Sequence, residues 1–193
     1  MVVFIIKKLI HFYYKMFNRV KIEGREIIES SGPAIIAPLH ISNNDAPLII
    51  SEFARKNIYT MGKSELFEFK PFGWFLSCFG VYPVDRAKKD MGAIKNSLKY
   101  LKKRNLLCIF PEGTRNGLVN NKKLHNGVVY IAIAAKVPVI PVGISGKYGF
   151  FGKVNVKVGK PIYFDKYYEI PNIKEHMEEI NGILLSEMLK LKE

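Results

Sequence analysis

Polar and apolar positions follow two rhythms along this chain, and the change between them marks its elements. From Met1 to Arg19, Lys7, Lys8, His11, Lys15, Asn18 and Arg19 share one arc of about 120° on a helix turning about 100° per residue. Ile5, Ile6, Leu9, Ile10, Phe12, Tyr13, Tyr14, Met16 and Phe17 fall on the remaining face, and Phe4 is the exception. The segment is expected to be an amphipathic helix with a basic polar face. Beyond it come short apolar runs that read as strands: Val20 to Glu23, Ala34 to Pro38, Asn57 to Met61, Val81 to Val84, Leu106 to Phe110, Val137 to Ile144 and Val154 to Val158. Between them lie helical patterns at Ala46 to Ala54, Pro71 to Phe79, Asp90 to Arg104 and Gly127 to Ala135, and a last helix starts at Asn172. In the third of these Met91, Ile94, Leu98 and Leu101 share a face, with Asp90 as the N-cap and Lys102, Lys103 and Arg104 at the C-terminal dipole. Strands separated by helices predict one α/β domain over 20–193, with a largely parallel or mixed sheet flanked by helices and preceded by the amphipathic helix over 1–19.

Charge sharpens the reading of the first helix. The chain has 193 residues with 30 Lys and Arg against 17 Asp and Glu, a net charge of +13, so an anionic partner is expected: nucleic acid, an acidic membrane surface or a phosphorylated substrate. The uncharged run before Lys7 is far shorter than the ~18 to 20 residues that span a bilayer. A wide apolar face rich in aromatic residues and edged by Lys and Arg suits a helix lying in the headgroup region of an anionic membrane, peripheral and on its cytoplasmic face. The alternative is a terminal helix packed on the domain's own core. At 48% hydrophobic and 24% charged residues the rest is globular and not disordered. Cys78 and Cys108 lie in apolar runs and read as buried free thiols in a reducing compartment. The histidines and cysteines show no zinc-ligand spacing, and no metal is expected.

The stretch from His40 to Asp45 carries the candidate chemistry. Imidazole titrates near neutrality and can take a proton from a hydroxyl, and a carboxylate on its other ring nitrogen fixes the tautomer and stabilises the imidazolium. Four intervening residues are compatible with a tight turn that brings the two together. The plainer alternative makes Asp45 a helix N-cap and His40 an ordinary loop residue. Two further polar turns follow strands: Gly80 to Arg86, and Phe110-Pro-Glu-Gly-Thr-Arg115, which holds Glu112, Gly113, Thr114 and Arg115. Ligands gather at the carboxyl ends of strands in open α/β sheets, and an arginine fork suits a phosphate.

Taken in order and spacing, His40-x4-Asp45, Gly80 to Arg86, Phe110 to Arg115 and Val137-Pro-Val-Ile-Pro141 resemble the four motifs of the glycerolipid acyltransferases, most closely the bacterial lysophosphatidic acid acyltransferases. The likeness runs from about Gly24 to Lys160. It implies His40 as general base and Asp45 as its orienter. It also implies Arg86 and Arg115 on the acceptor's phosphate, Glu112 helping to place the glycerol part, Gly113 and Thr114 among the substrate-binding residues, and Pro138 and Pro141 shaping an acyl pocket. The implied reaction transfers a fatty acyl group to lysophosphatidic acid, giving phosphatidic acid. The implied co-substrate is acyl-CoA or an acyl-acyl carrier protein, no cofactor is needed, and no nucleic acid partner is expected. Two positions depart from the pattern: Leu39 stands where Asn is common, and Leu124-His125-Asn126-Gly127 replaces Phe-Lys-x-Gly. The rival readings are an acyltransferase for another lysolipid, and a non-catalytic basic protein of membrane surfaces or nucleic acid.

Overall fold

The computed structural model describes residues 2–53, 57–85, 90–117 and 123–192. Its elements run α1 (Val2–Phe17), β1 (Asn18–Glu23), α2 (Arg25–Ser30), β2 (Ile35–Pro38), α3 (Asp45–Glu52), β3 (Ile58–Lys63), α4 (Lys70–Cys78) and β4 (Val81–Val84). There follow α5 (Met91–Lys102), β5 (Leu106–Cys108), α6 (Gly127–Ala135), β6 (Val139–Gly146), β7 (Gly152–Val158) and α7 (Met177–Lys190). The strands form one sheet in the order β1-β7-β6-β2-β5-β3-β4, parallel throughout except where β6 meets β7.

The central strands are near-continuous apolar runs because both of their faces are covered. Ile35, Ala37 and Leu39 enter one core with α6 and α7, while Ala34 and Ile36 enter the other with α3 and Ile28 of α2. In β6 the same alternation sends Val139 to the first core and Ile140, Val142 and Ile144 to the second. With β2 between β5 and β6 (Ile35 opposite both Leu107 and Val139), the turns after β2 and β5 emerge side by side.

Asp90 caps α5 as expected, its carboxylate accepting the Ala93 N–H at 2.9 Å. The last helix differs from expectation: a 3-10 turn over Ile173–His176 precedes α7, which starts at Met177. Helix α2 was not expected, since six residues are too few to display a period.

The first helix ends at Phe17, so Asn18 and Arg19 belong to β1 and not to the basic face of the helix. Asn18 is buried, and its side-chain oxygen accepts the Gly149 N–H at 3.0 Å. The helix does pack on the domain, by the edge where its polar and apolar faces meet. Tyr14 is 2% exposed, His11 Nδ1 lies 2.9 Å from Glu52 Oε1, and Lys7 is half-buried. Its apolar face points away: Ile5, Leu9, Phe12, Tyr13 and Met16 are all about half exposed or more. Among the described residues no helix is long and apolar enough to cross a membrane.

Candidate active site

A buried carboxylate is stable only if its oxygens are fully hydrogen-bonded, and the turn after β2 is built to do this. Asp45 is fully buried as the first residue of α3. Its Oδ2 accepts the Ile41 and Ser42 N–H groups, each at 2.7 Å, and His40 Nδ1 at 2.8 Å. Its Oδ1 accepts the Tyr148 hydroxyl at 2.8 Å. Asp45 is therefore no helix N-cap; that position is held by Asn44. Since a carboxylate can only accept, His40 Nδ1 donates to it, and Nε2 is the ring nitrogen that Asp45 does not engage. The ring is 16% exposed and packs against Phe110, centroid to centroid 4.2 Å.

The turn after β5 closes on the same place. Glu112 is 3% exposed, and its Oε1 accepts the His40 backbone N–H at 2.7 Å, while the Asn116 N–H donates to the His40 carbonyl at 2.6 Å. These two bonds clamp the turns after β2 and β5 together. Gly113 has φ +64°, and a Cβ there would lie 2.5 Å from the His125 ring, so both conformation and space call for glycine. Gly117 makes room for the Glu112 side chain, which a Cβ would approach to 2.9 Å.

His40, Thr114, Arg115 and Asn116 form the polar end of a pocket of about 820 Å³. The rest of its lining is mostly apolar, with Ile50 of α3, Val81 of β4, and Phe75, Leu76 and Phe79 in and just after α4, interrupted by Asn43, Ser51, Thr60 and Lys63. Lys7 and Ile10 of α1 close one side. Pro138 and Pro141, expected to shape an acyl pocket, do not line this one; Pro141 lies within β6, opposite Ala37 of β2. Arg115 is exposed, and Arg86 lies outside the described residues. Among the described residues no group of three or more His, Cys, Asp or Glu side chains converges as a metal site. Cys108 is buried, which pushes its thiol well above the ordinary range, and Cys78 is also free.

One residue had no signal in the sequence. Burial, and then the Asp45 charge, push the Tyr148 phenol far above its usual range, so it stays protonated and acts only as donor to the carboxylate. Tyr14 of α1 packs edge-on against Tyr148 and donates its own hydroxyl to the Asn44 carbonyl at 3.1 Å. The pair ties the His40–Asp45 turn to both α1 and the β6–β7 connection.

A chemistry of this kind has close company among known proteins. The family model described as Acyltransferase matches residues 19–145. A 1-acyl-sn-glycerol-3-phosphate acyltransferase of Bacillus subtilis is 30% identical over 178 residues, covering 90% of this chain and 88% of its own length. One of Streptococcus pneumoniae is 32% identical over 130 residues, 64% of this chain and 46% of its own. The crystal structure of the 1-acyl-sn-glycerophosphate acyltransferase PlsC from Thermotoga maritima superposes with a TM-score of 0.68 at 26% identity, over 97% of this chain and 80% of that one. With more than half of its length inside the family model, and a His-Asp pair with a buried carboxylate at a largely apolar pocket, this chain belongs to the acyltransferase family.

Proposed function

We propose that this enzyme acylates the free hydroxyl of lysophosphatidic acid from a fatty acyl thioester, giving phosphatidic acid. The observation that carries the reading is the His40–Asp45 pair, its carboxylate buried and engaged by Nδ1, at a pocket lined largely by apolar residues. The relatives' names supply the acceptor: each acts on a 1-acyl-glycerol phosphate.

The hydroxyl oxygen of the acceptor attacks the thioester carbonyl as its proton passes to His40 Nε2. The new C–O bond forms, the C–S bond breaks, and the thiolate leaves with the proton that His40 returns. Thiolate is a good enough leaving group that no covalent enzyme intermediate is needed. A positioned base contributes about 10² to 10⁴ in rate, and holding both substrates at one pocket contributes further. Asp45 stabilises the transient imidazolium. Arg115, with Arg86, binds the phosphate through charge-assisted hydrogen bonds, and the apolar walls take the acyl chain. The donor is acyl-CoA or an acyl carrier protein thioester, and no bound cofactor takes part. The outward apolar face of α1, with Lys8 and Lys15 also exposed, seats the enzyme on the cytoplasmic face of an anionic membrane, where the lysolipid resides.

The test is transfer by the purified chain from acyl-CoA and from acyl carrier protein, assayed separately with lysophosphatidic acid. Phosphatidic acid from at least one donor is the expected product. Thioester turnover that acylates other lysolipids equally well would contradict the acceptor assignment.

A further inference from the structure

Among the described residues, exposed large apolar side chains are concentrated on three stretches. The first is the outer face of α1; the second is Leu66 to Phe75, at the start of α4; the third is Phe150 and Phe151 between β6 and β7. These stretches are neighbours. Phe17 of α1 packs on Phe150 with ring centroids 5.4 Å apart, and the Phe151 N–H donates to the Phe17 carbonyl at 2.9 Å. Lys7 and Ile10 of α1 line the same pocket as Leu66 and Phe75.

Helix α4 is the unexplained member. Trp74 is 71% exposed and Phe69, its N-cap, 70%, and Lys70 is the only charged residue within it. At about 100° per residue, Phe72 and Trp74 project to opposite flanks, so the exposed apolar surface wraps around the helix. A protein groove would cover one flank; a fluid lipid layer covers both. Trp suits that position, since its ring is apolar and its N–H finds partners at the headgroup level. A net charge of +13 favours an anionic surface over a neutral one.

We infer that α4, with Phe69 at its N-cap and Trp74 within it, is a second bilayer-inserting element, so that the pocket opens between two membrane-seated helices, α1 and α4. This rests on the reading of α1 as membrane-seated. It makes the lipid layer the source from which a lysolipid enters the pocket, and gives α4 a function that its poor packing on the domain leaves open.

Trp74 is the chain's only tryptophan, so its emission reports α4 alone. The full chain is mixed with vesicles of phosphatidylglycerol and phosphatidylcholine, with and without bromine-labelled acyl chains. The expected result is co-sedimentation, a blue shift of Trp74, quenching by the brominated lipid and protection from iodide. Phe69→Ser, which lines no part of the pocket, is expected to weaken vesicle affinity about 10-fold while leaving turnover of a dispersed short-chain acceptor unchanged. Vesicle binding with Trp74 emission unchanged and still open to iodide would overturn the inference and leave the α1 seat standing. Absence of vesicle binding would overturn both. A spectrum already blue-shifted before vesicles are added, in a chain that sediments as a dimer, would place a second copy on this face and overturn it as well.

Discussion

Two charged groups beside the proposed chemistry are held in opposite ways. Asp45 is fully buried, and its two oxygens accept four hydrogen bonds, from His40, Ile41, Ser42 and Tyr148. Arg115 stands exposed on the neighbouring turn, and no hydrogen bond to another described residue holds its guanidinium. The protein fixes the first group before any substrate arrives, whereas the second is free to be ordered by the phosphate it binds. The contrast follows from their tasks. A base must be aligned in the transition state, and its orienter must not move; a cation that captures a mobile lipid headgroup loses little by being unfixed beforehand.

The sharpest way to break this contrast is Asp45→Asn. The amide would confront N–H donors with an NH₂ group and leave the imidazolium without its counter-charge. Turnover is expected to fall about 10³-fold with KM nearly unchanged. Some stability should also be lost, roughly 2 to 3 kcal/mol, readable in urea titration. Arg115→Ala should act on the other parameter, raising KM for lysophosphatidic acid about 10- to 100-fold with little change in kcat, and leaving a dephosphorylated analogue unaffected. If both variants changed the same parameter, the division between fixed and substrate-ordered groups would be wrong.

Tyr148→Phe probes how the fixed side is held. Removing one donor leaves more charge on Asp45, which favours the protonated imidazole. The acid limb of the kcat/KM profile should therefore move to higher pH, with turnover down several-fold, about 10-fold at most. A Tyr148 that only packs against Tyr14 would leave the pH profile where it was. The smallest effect is expected from Gly117→Ala, which crowds the Glu112 side chain; a loss of about 1 to 2 kcal/mol in stability should appear with modestly lower activity.

How much of this was legible in the sequence depended on distance along the chain. His40 and Asp45 lie five residues apart, so one turn can be imagined around them, and the structure forms it. Glu112 and Tyr148 reach the same turn from 72 and 103 residues away. Nothing local marks either contact; both depend on β5 and β6 flanking β2 in the sheet. The doubly buried strands were readable because burial on both faces leaves unbroken apolar runs, as in Ile35 to Pro38. Helix α2 was not, being too short to repeat.

Helix direction shows a different limit. The stripe of α7, with Met177, Ile180, Leu184 and Met188, is buried in the domain, whereas that of α1 faces out. Both are amphipathic in sequence, and periodicity alone does not say which medium the apolar face meets. Tyr14, His11 and their contacts to Asn44 and Glu52 decide it for α1, and those partners become visible only once the chain is folded.

The most direct test of the central claim compares wild type with His40→Ala in the same preparation, using lysophosphatidic acid and its dephosphorylated analogue with a long-chain acyl thioester. Phosphatidic acid is expected from wild type, with little product from the analogue and a loss of about 10³-fold or more in His40→Ala, its folded state retained by circular dichroism. Undiminished transfer by folded His40→Ala would contradict the claim.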